Sequence, residues 1–484
     1  MRKTLLSTVA SLAIFLPLQA HAAEIDQAGA DQIKEKLTYY LPTEIVDTGF
    51  IKVVPAANRY ELSVDLMPLL KDVKPEMFTI SGLKPFIHYL TPQDDGMWKV
   101  EVNDRFDVNG SFKAEGKKQD FTYKIDNMVF DGLFDPTITY FTTGKYTLDK
   151  LAFNSIGDDA NIAVTVDAMG ADMKGDKIAE GIVDLSGTLS MSNFQEAITE
   201  KSGDVVSISA DSMSGTIEFK RLGVNAFRDL LVFGLDLVKA DVKKLDQAQA
   251  DTLKSLIRAN MPLTDKFDEQ LVFNGVKVAA QGMNVSFDSF TYGLGFTGLK
   301  KDASARFNMG VTKPVIPAGL LPPGTEGAIP DAANFAVAIS NLNLEGVVTY
   351  MLDNADFTKP DPLTPAQSDE LGRIVLPDGK LHIDFTDVYA RSAVYDLSLA
   401  GQMQVNPDNS DKPSVDVTIT AKDLDKTIKY LQDNAQTVPE FGQASFMVLM
   451  MKGFGKVETD GSTVWNVKLD ETGKVTINGQ EMKI

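Results

Sequence analysis

Apolar and polar residues alternate along this chain with a period of two, from near its beginning to its end. Val183, Leu185, Gly187, Leu189 and Met191 interleave with Asp184, Ser186, Thr188, Ser190 and Ser192, the pattern of a strand with one wet and one dry face. The same alternation runs through Tyr60 to Leu66, Trp98 to Val102, Phe121 to Ile125, Ile162 to Val166 and Val206 to Ala210. It returns in Met283 to Phe287, Leu397 to Val405, Val415 to Ile419 and Trp465 to Leu469. Clean alternation belongs to antiparallel sheets with one solvated face, whereas buried parallel strands read as continuous apolar runs. The expected fold class is therefore α+β and strand-dominated, with large, mostly antiparallel sheets and a few amphipathic helices packed on them.

Those helices have local signals. One is expected from about Asp26 to Leu41, with Ile33, Leu37 and Tyr40 on its dry face and Pro42 as its stop. After Val224, the residues Phe227, Leu230, Leu231, Leu235 and Val238 form an apolar stripe, and Leu253, Leu256 and Ile257 form a second. Asp246 and Gln249 between them have capping-box spacing, and so do Thr364 and Gln367. Asp423 to Asp433 and Phe441 to Met451 complete the set. A helix followed by strands recurs from residues 26, 225 and 423, a pattern suggestive of a repeated unit.

The first residues read as an export signal. Arg2 and Lys3 precede an apolar stretch from Leu5 to Leu18, and Ala20-His21-Ala22 supplies the small-x-small pattern before Ala23. Cleavage between Ala22 and Ala23 is expected, leaving a mature chain without a transmembrane span and located in a periplasm. Removing Arg2 and Lys3 from the 47 basic residues, against 67 acidic ones, takes the formal net charge from −20 to −22. Such a surface repels nucleic acid. The chain has no cysteine, which rules out disulfides, thiolate metal sites and a cysteine nucleophile.

Each apparent reaction motif fails on context. Gly293, Gly295 and Gly298 spell a dinucleotide fingerprint but are flanked by strand patterns, with no helix N-terminus to hold a pyrophosphate. His88 and His382 have no second histidine at ligand spacing, so no metal site and no cofactor is expected. His382 has Asp384 on its own strand face, a pair that reads as structural. Asp408, Asn409, Ser410 and Asp411 open like a calcium loop, but its sixth and twelfth positions hold Pro413 and Ile419 in place of glycine and glutamate. The methionine-rich segment stands apart: Phe446, Met447, Leu449, Met450 and Met451 make a soft helical surface, apolar nearly all round, of the kind that lines grooves for varied apolar ligands.

By composition the chain divides into the signal peptide (1–22), an N-terminal β-rich region (23–222), a helical segment with strands (223–312), a linker or loop (313–330) and a C-terminal β-rich region with helices (331–484). The segment 313–330 contains five prolines and three glycines.

The last residues, Trp465-Asn-Val-Lys-Leu469-Asp-Glu-Thr-Gly473-Lys-Val-Thr-Ile477-Asn478-Gly479, form a strand, a Gly-Lys turn and a short strand closing on Asn-Gly. With the signal segment and the strand-rich body, this ending resembles an uncharacterised family of alphaproteobacterial envelope proteins related to the AsmA-like and YdgA-like groups. The resemblance implies curved sheets with an apolar concave face, a part in envelope lipid homeostasis and no catalytic residues. AsmA-like proteins usually keep an N-terminal membrane anchor, and this chain departs from them in its cleavable signal. The expected function is non-catalytic binding or support of a lipid or another apolar envelope component. The alternatives are an assembly partner in the envelope and a carboxylate-dependent hydrolase, because paired carboxylates leave no trace in sequence.

Overall fold

The structure is a computed structural model that describes residues 25–39, 41, 43–114, 116–240, 242, 244–317, 319–407 and 413–482. The signal segment with Ala22 and Ala23, Tyr40, Pro42 and the run from Asp408 to Asp411 lie outside them. The chain forms two compact units. Unit 1 holds the residues up to Lys266 together with Ala355–Leu363, and unit 2 holds Phe267–Asn354 and the residues from Thr364 onward.

Unit 1 opens with helix α1 (Gln27–Thr38), where the Asp26 carboxylate accepts the Gly29 N–H at 2.8 Å, and a single turn α2 (Thr43–Val46). Ten strands follow: β1 (Ile51–Ala56), β2 (Arg59–Val64), β3 (Phe78–Ser81), β4 (Phe86–Pro92), β5 (Trp98–Ala114), β6 (Lys117–Asp135), β7 (Tyr140–Gly157), β8 (Ala160–Ala179), β9 (Ile182–Glu200) and β10 (Val205–Gly223). They pair antiparallel in the order β1, β2, β4, β5, β6, β7, β8, β9, β10, while β3 lies on β5 beyond β4. Helices α3 (Val224–Lys239) and α4 (Gln247–Ala259) close the unit, and α4 starts on the expected Asp246/Gln249 capping box.

The long strands are interrupted along one line. The β5–β6 register shifts between Asp104 and Phe106, and in the following steps the ladder skips Asp126 with Lys150, Lys150 with Asp167, and Asp211 with Asn193. Lys150 and Asn193 have φ of 55° and 51°. Across this line the apolar spacing is three instead of two: Ile125/Met128, Leu148/Leu151, Val166/Met169, Met191/Phe194 and Ala210/Met213. An extra residue in a strand reverses its inside–outside alternation, so the skip keeps one face apolar along the whole strand. On the interruption itself, the Asp167 carboxylate accepts Lys150 Nζ and Asn193 Nδ2, each at 2.6 Å, and both bonds hold its pKa below the usual range.

The main core of unit 1 forms where α1 lays Ala30, Ile33 and Leu37 on Tyr60, Leu62, Leu90, Trp98, Val100 and Phe134. A smaller cluster joins Ile138, Val183, Leu185, Leu222 and Val224.

Unit 2 repeats the strand-rich plan with β11 (Lys266–Ala280, all but its first residue), β12 (Met283–Phe296), β13 (Ala303–Thr312) and β14 (Ala332–Leu342). Next come α5 (Leu344–Asn354), α6 (Pro365–Val375), β15 (Leu381–Arg391), β16 (Asp396–Val405), β17 (Ser414–Lys422), α7 (Leu424–Asp433) and α8 (Pro439–Phe454). The unit ends with β18 (Lys456–Val457), β19 (Thr463–Leu469), β20 (Val475–Ile477) and β21 (Gln480–Met482). Neighbours from β11 to β17 pair antiparallel in chain order; β17 continues to β19, whose far edge carries β18 and β20, and β21 pairs with β20. The segment 313–330 is fastened within this unit: Tyr395 Oη donates to the Ala328 carbonyl at 2.8 Å and Tyr430 Oη to the Gly324 carbonyl at 2.7 Å. Asn478 and Gly479, with φ of 50° and 80°, make the tight turn between β20 and β21, the left-handed geometry that an Asn-Gly pair favours.

Candidate apolar cavity

Cross-strand register assembles a site on the dry face of unit 1. His88 on β4 stands opposite Val102 on β5, Val102 opposite Phe130 on β6, and Phe130 opposite Tyr146 on β7. The row beside it runs Leu90, Val100, Gly132, Gly144 and Met173. Directly opposed residues share a face in an antiparallel ladder, so these side chains form one surface. The first two turns of α3 bring Val224, Phe227, Arg228 and Leu231 to the same space, and the result is a cavity of about 780 Å³ with largely apolar walls.

The glycines make room for it. A Cβ on Gly132 would stand 2.7 Å from Phe130 Cζ and 2.8 Å from Phe141 Cδ1, and one on Gly144 would stand 2.7 Å from Met173 Cγ. Both rings and the thioether therefore pack against bare backbone. The lining extends from Phe134 to Met128 along β6, six residue steps or about 20 Å of strand.

Few of the lining residues carry polar groups, and two of those groups are unpaired. His88 Nδ1 and Thr139 Oγ1 are buried without a hydrogen-bond partner, although buried polar atoms are almost always paired. Burial lowers the pKa of His88, with Asp104 opposing the shift from nearby, so the imidazole is held neutral. Burial also raises the phenol pKa of Tyr140 and of Tyr146. Among the described lining residues, Arg228 is the one that is permanently charged, and its Nε and Nη2 donate to the Asp229 carboxylate at 2.9 and 2.7 Å.

Thr139 owes its position to the turn between β6 and β7. The Asp135 carboxylate accepts the Thr137 N–H at 2.7 Å, and Ile138 beside it is fully buried. Pinned on that side, Thr139 takes φ of 52°, a left-handed conformation unfavourable for a β-branched residue.

The groups that sequence singled out lie elsewhere. Met451 packs into the core of unit 2 with Ala421, Leu424, Ile428, Trp465 and Ile477. Phe446, Met447, Leu449 and Met450 turn outward on α8, between 51% and 60% exposed. His382 Nε2 meets Asp378 at 2.7 Å, and Ser340 Oγ donates to Asp384 at 2.5 Å, so the expected partner of His382 is occupied by the serine. Burial opposes ionisation of Asp378, but its hydrogen bonds from His382 and the Lys380 amide outweigh that and lower its pKa. Gly293 and Gly295 sit within β12, as their strand context predicts.

Among the described residues, no group of three or more histidines and carboxylates is arranged to hold a metal ion, and no helix is long and apolar enough to cross a membrane. No family model, curated protein or solved structure matches the chain.

Sequence reasoning set His88 aside for want of a second histidine. Its signal was its place in the alternation: Phe86, His88 and Leu90 occupy successive dry-face positions of β4. The unpaired Thr139 hydroxyl had no comparable signal, because its backbone conformation depends on the packing of Ile138.

Proposed function

We propose that this protein binds a lipid-like molecule in the cell envelope without performing chemistry on it. The observation that carries this reading is the cavity between the dry face of β4–β8 and α3. Concave, mostly apolar pockets of roughly 300 to 1,000 Å³ with a few placed polar groups are the usual form of small-molecule sites. The Nδ1 atom of the lining residue His88 is buried without a hydrogen-bond partner, so no partner orients that nitrogen as the base that proton transfer needs. The resemblance to AsmA-like envelope proteins and the export-like beginning point to the periplasm as the place of action.

Lipid analysis of the protein purified from its own envelope tests the reading. Stoichiometric lipid is expected with the wild type and its loss in Phe227→Glu, which puts a charge at a lining residue that is 48% exposed. A protein that arrives empty and takes up no added lipid overturns it. The outward apolar flank of α8 favours a second reading, an assembly partner that docks on Phe446 and Met450.

A further inference from the structure

We propose that the cavity of unit 1 takes an amphiphile with an anionic head group, a carboxylate or a phosphate monoester, that pairs with the guanidinium of Arg228 while its apolar chain lies against the dry face. The inference rests on the lipid-binding reading and adds the chemistry of the head group. Charge selects that chemistry first. The chain carries 67 acidic residues against 47 basic ones, yet among the described lining residues none is acidic and Arg228 is permanently positive. A cationic head group finds no carboxylate in this lining, whereas an anion that leaves water needs a cation to pair with.

Arg228 has donors to spare for it. A guanidinium carries five N–H groups. Nε and Nη2 each give one bond to Oδ1 of Asp229, and the other three N–H groups meet no partner among the described residues. Bonds from a guanidinium to carboxylate or phosphate oxygens are charge-assisted and strong. The Arg228 side chain is 28% exposed and also lines the cavity, so a head group held by it stays close to water while the chain enters the apolar space. The β6 part of the lining, about 20 Å, exceeds the roughly 15 Å that an acyl chain spans in one leaflet of a bilayer.

The test uses the full chain and three probes with the same 18-carbon tail: oleate, 1-oleoyl lysophosphatidate and oleyl alcohol. Each displaces an apolar fluorophore at about pH 8, where the carboxylate and the phosphate are ionised. Because Asp229 already offsets part of the guanidinium charge, the expected gain is that of one charge-assisted bond, and at least one of the two anions should bind about tenfold more tightly than the alcohol. Preference for oleate assigns a carboxylate head group, and preference for lysophosphatidate a phosphate. Arg228→Gln should bring the anion-to-alcohol ratio close to one, and Arg228→Lys, which keeps the charge, should retain most of the preference. The ratio is read within one protein, so a loss of fold, which weakens all probes together, is separable from a loss of head-group recognition. Alcohol binding as tightly as both anions, or a ratio unchanged in Arg228→Gln, overturns this inference and leaves the cavity as a lipid site. Failure of all three probes to bind the wild type overturns the lipid-binding reading as well.

Discussion

Gly132 stands directly opposite Gly144 across β6 and β7, and the side chains of Phe130, Phe141 and Met173 rest on the two bare positions. The pair removes two Cβ atoms from one spot of the dry face, which lowers the floor of the cavity. Glycine costs a strand some stability, so its placement here answers a steric need.

Alanine at each position should therefore act differently. In Gly132→Ala the new methyl meets two aromatic rings packed in the core, and overpacking of that kind costs about 1 to 3 kcal/mol. In Gly144→Ala it meets the flexible Met173, which swings into the cavity, so stability should change by less than about 1 kcal/mol while lipid uptake falls. Of the two tryptophans, Trp98 lies in unit 1 and Trp465 in unit 2. Urea unfolding followed by Trp98 fluorescence in a Trp465→Phe background reports unit 1 alone. Equal destabilisation by both substitutions would refute the asymmetry.

The neutral state of His88 predicts a pH dependence. Its folded pKa lies below the ordinary imidazole value of 6.5, chiefly through burial, so below pH 6.5 the unfolded chain binds more protons than the folded one. The stability held above pH 6.5 is lost as the pH falls from there through the folded pKa. Comparing the urea midpoints of wild type and His88→Leu from about pH 8 to about pH 5 separates this from carboxylate titration, which both proteins share. The difference should favour His88→Leu increasingly toward acid. A difference that does not change with pH would mean that the imidazole has the same pKa in the folded and unfolded chain, and one that favours the wild type toward acid would mean that it is charged when folded.

Period-two alternation made the strands legible, and capping-box spacing placed the starts of α4 and α6 at Asp246 and Thr364. The Asn478-Gly479 turn was equally plain, because its residues and its geometry belong to the same few positions. The aligned interruption was written in the sequence as spacings of three, such as Ile125/Met128 and Val166/Met169, but a single such skip is indistinguishable from an imperfect strand. It acquires meaning when register lines several of them up. The cavity was not legible for the same reason. Its lining comes from β4 to α3, and the partnership of Gly132 with Gly144 exists only through pairing.

Thr139 holds a left-handed backbone conformation at a cost in stability. Glycine adopts its φ of 52° without the steric cost that a β-branched residue bears, and removing the hydroxyl also removes an unpaired buried oxygen. Greater backbone freedom in the unfolded chain offsets part of the gain, so Thr139→Gly should stabilise unit 1 by about 1 kcal/mol or less. Thr139→Val keeps the strain and loses only the hydroxyl. If Thr139→Gly destabilises unit 1 by more than Thr139→Val does, the turn depends on the side chain and the strain argument is wrong.

Helix α8 separates outward apolar residues from those that hold unit 2 together. Trp465 Nε1 donates to the Met451 carbonyl at 2.7 Å, and Asn478 Nδ2 donates to the Phe454 carbonyl at 2.8 Å, so two side chains from the closing strands grip the end of the helix. Met451 itself enters the core beside Trp465. Met451→Ala should cost about 2 to 5 kcal/mol, as large-to-small core changes do. Met447→Glu and Met450→Glu change side chains that are 55% and 53% exposed, and each should stay within about 0.5 kcal/mol of the wild type. Unfolding of unit 2 followed by Trp465 in a Trp98→Phe background measures all three, and that background is mild because the Trp98 indole N–H is buried without a partner. Small effects at Met447 and Met450 would also make the double variant a clean probe of docking. A loss of partner or membrane association in it, with stability and lipid uptake intact, would assign the outward flank of α8 a role independent of the cavity. Destabilisation comparable to Met451→Ala would show instead that the flank is held against the protein in solution.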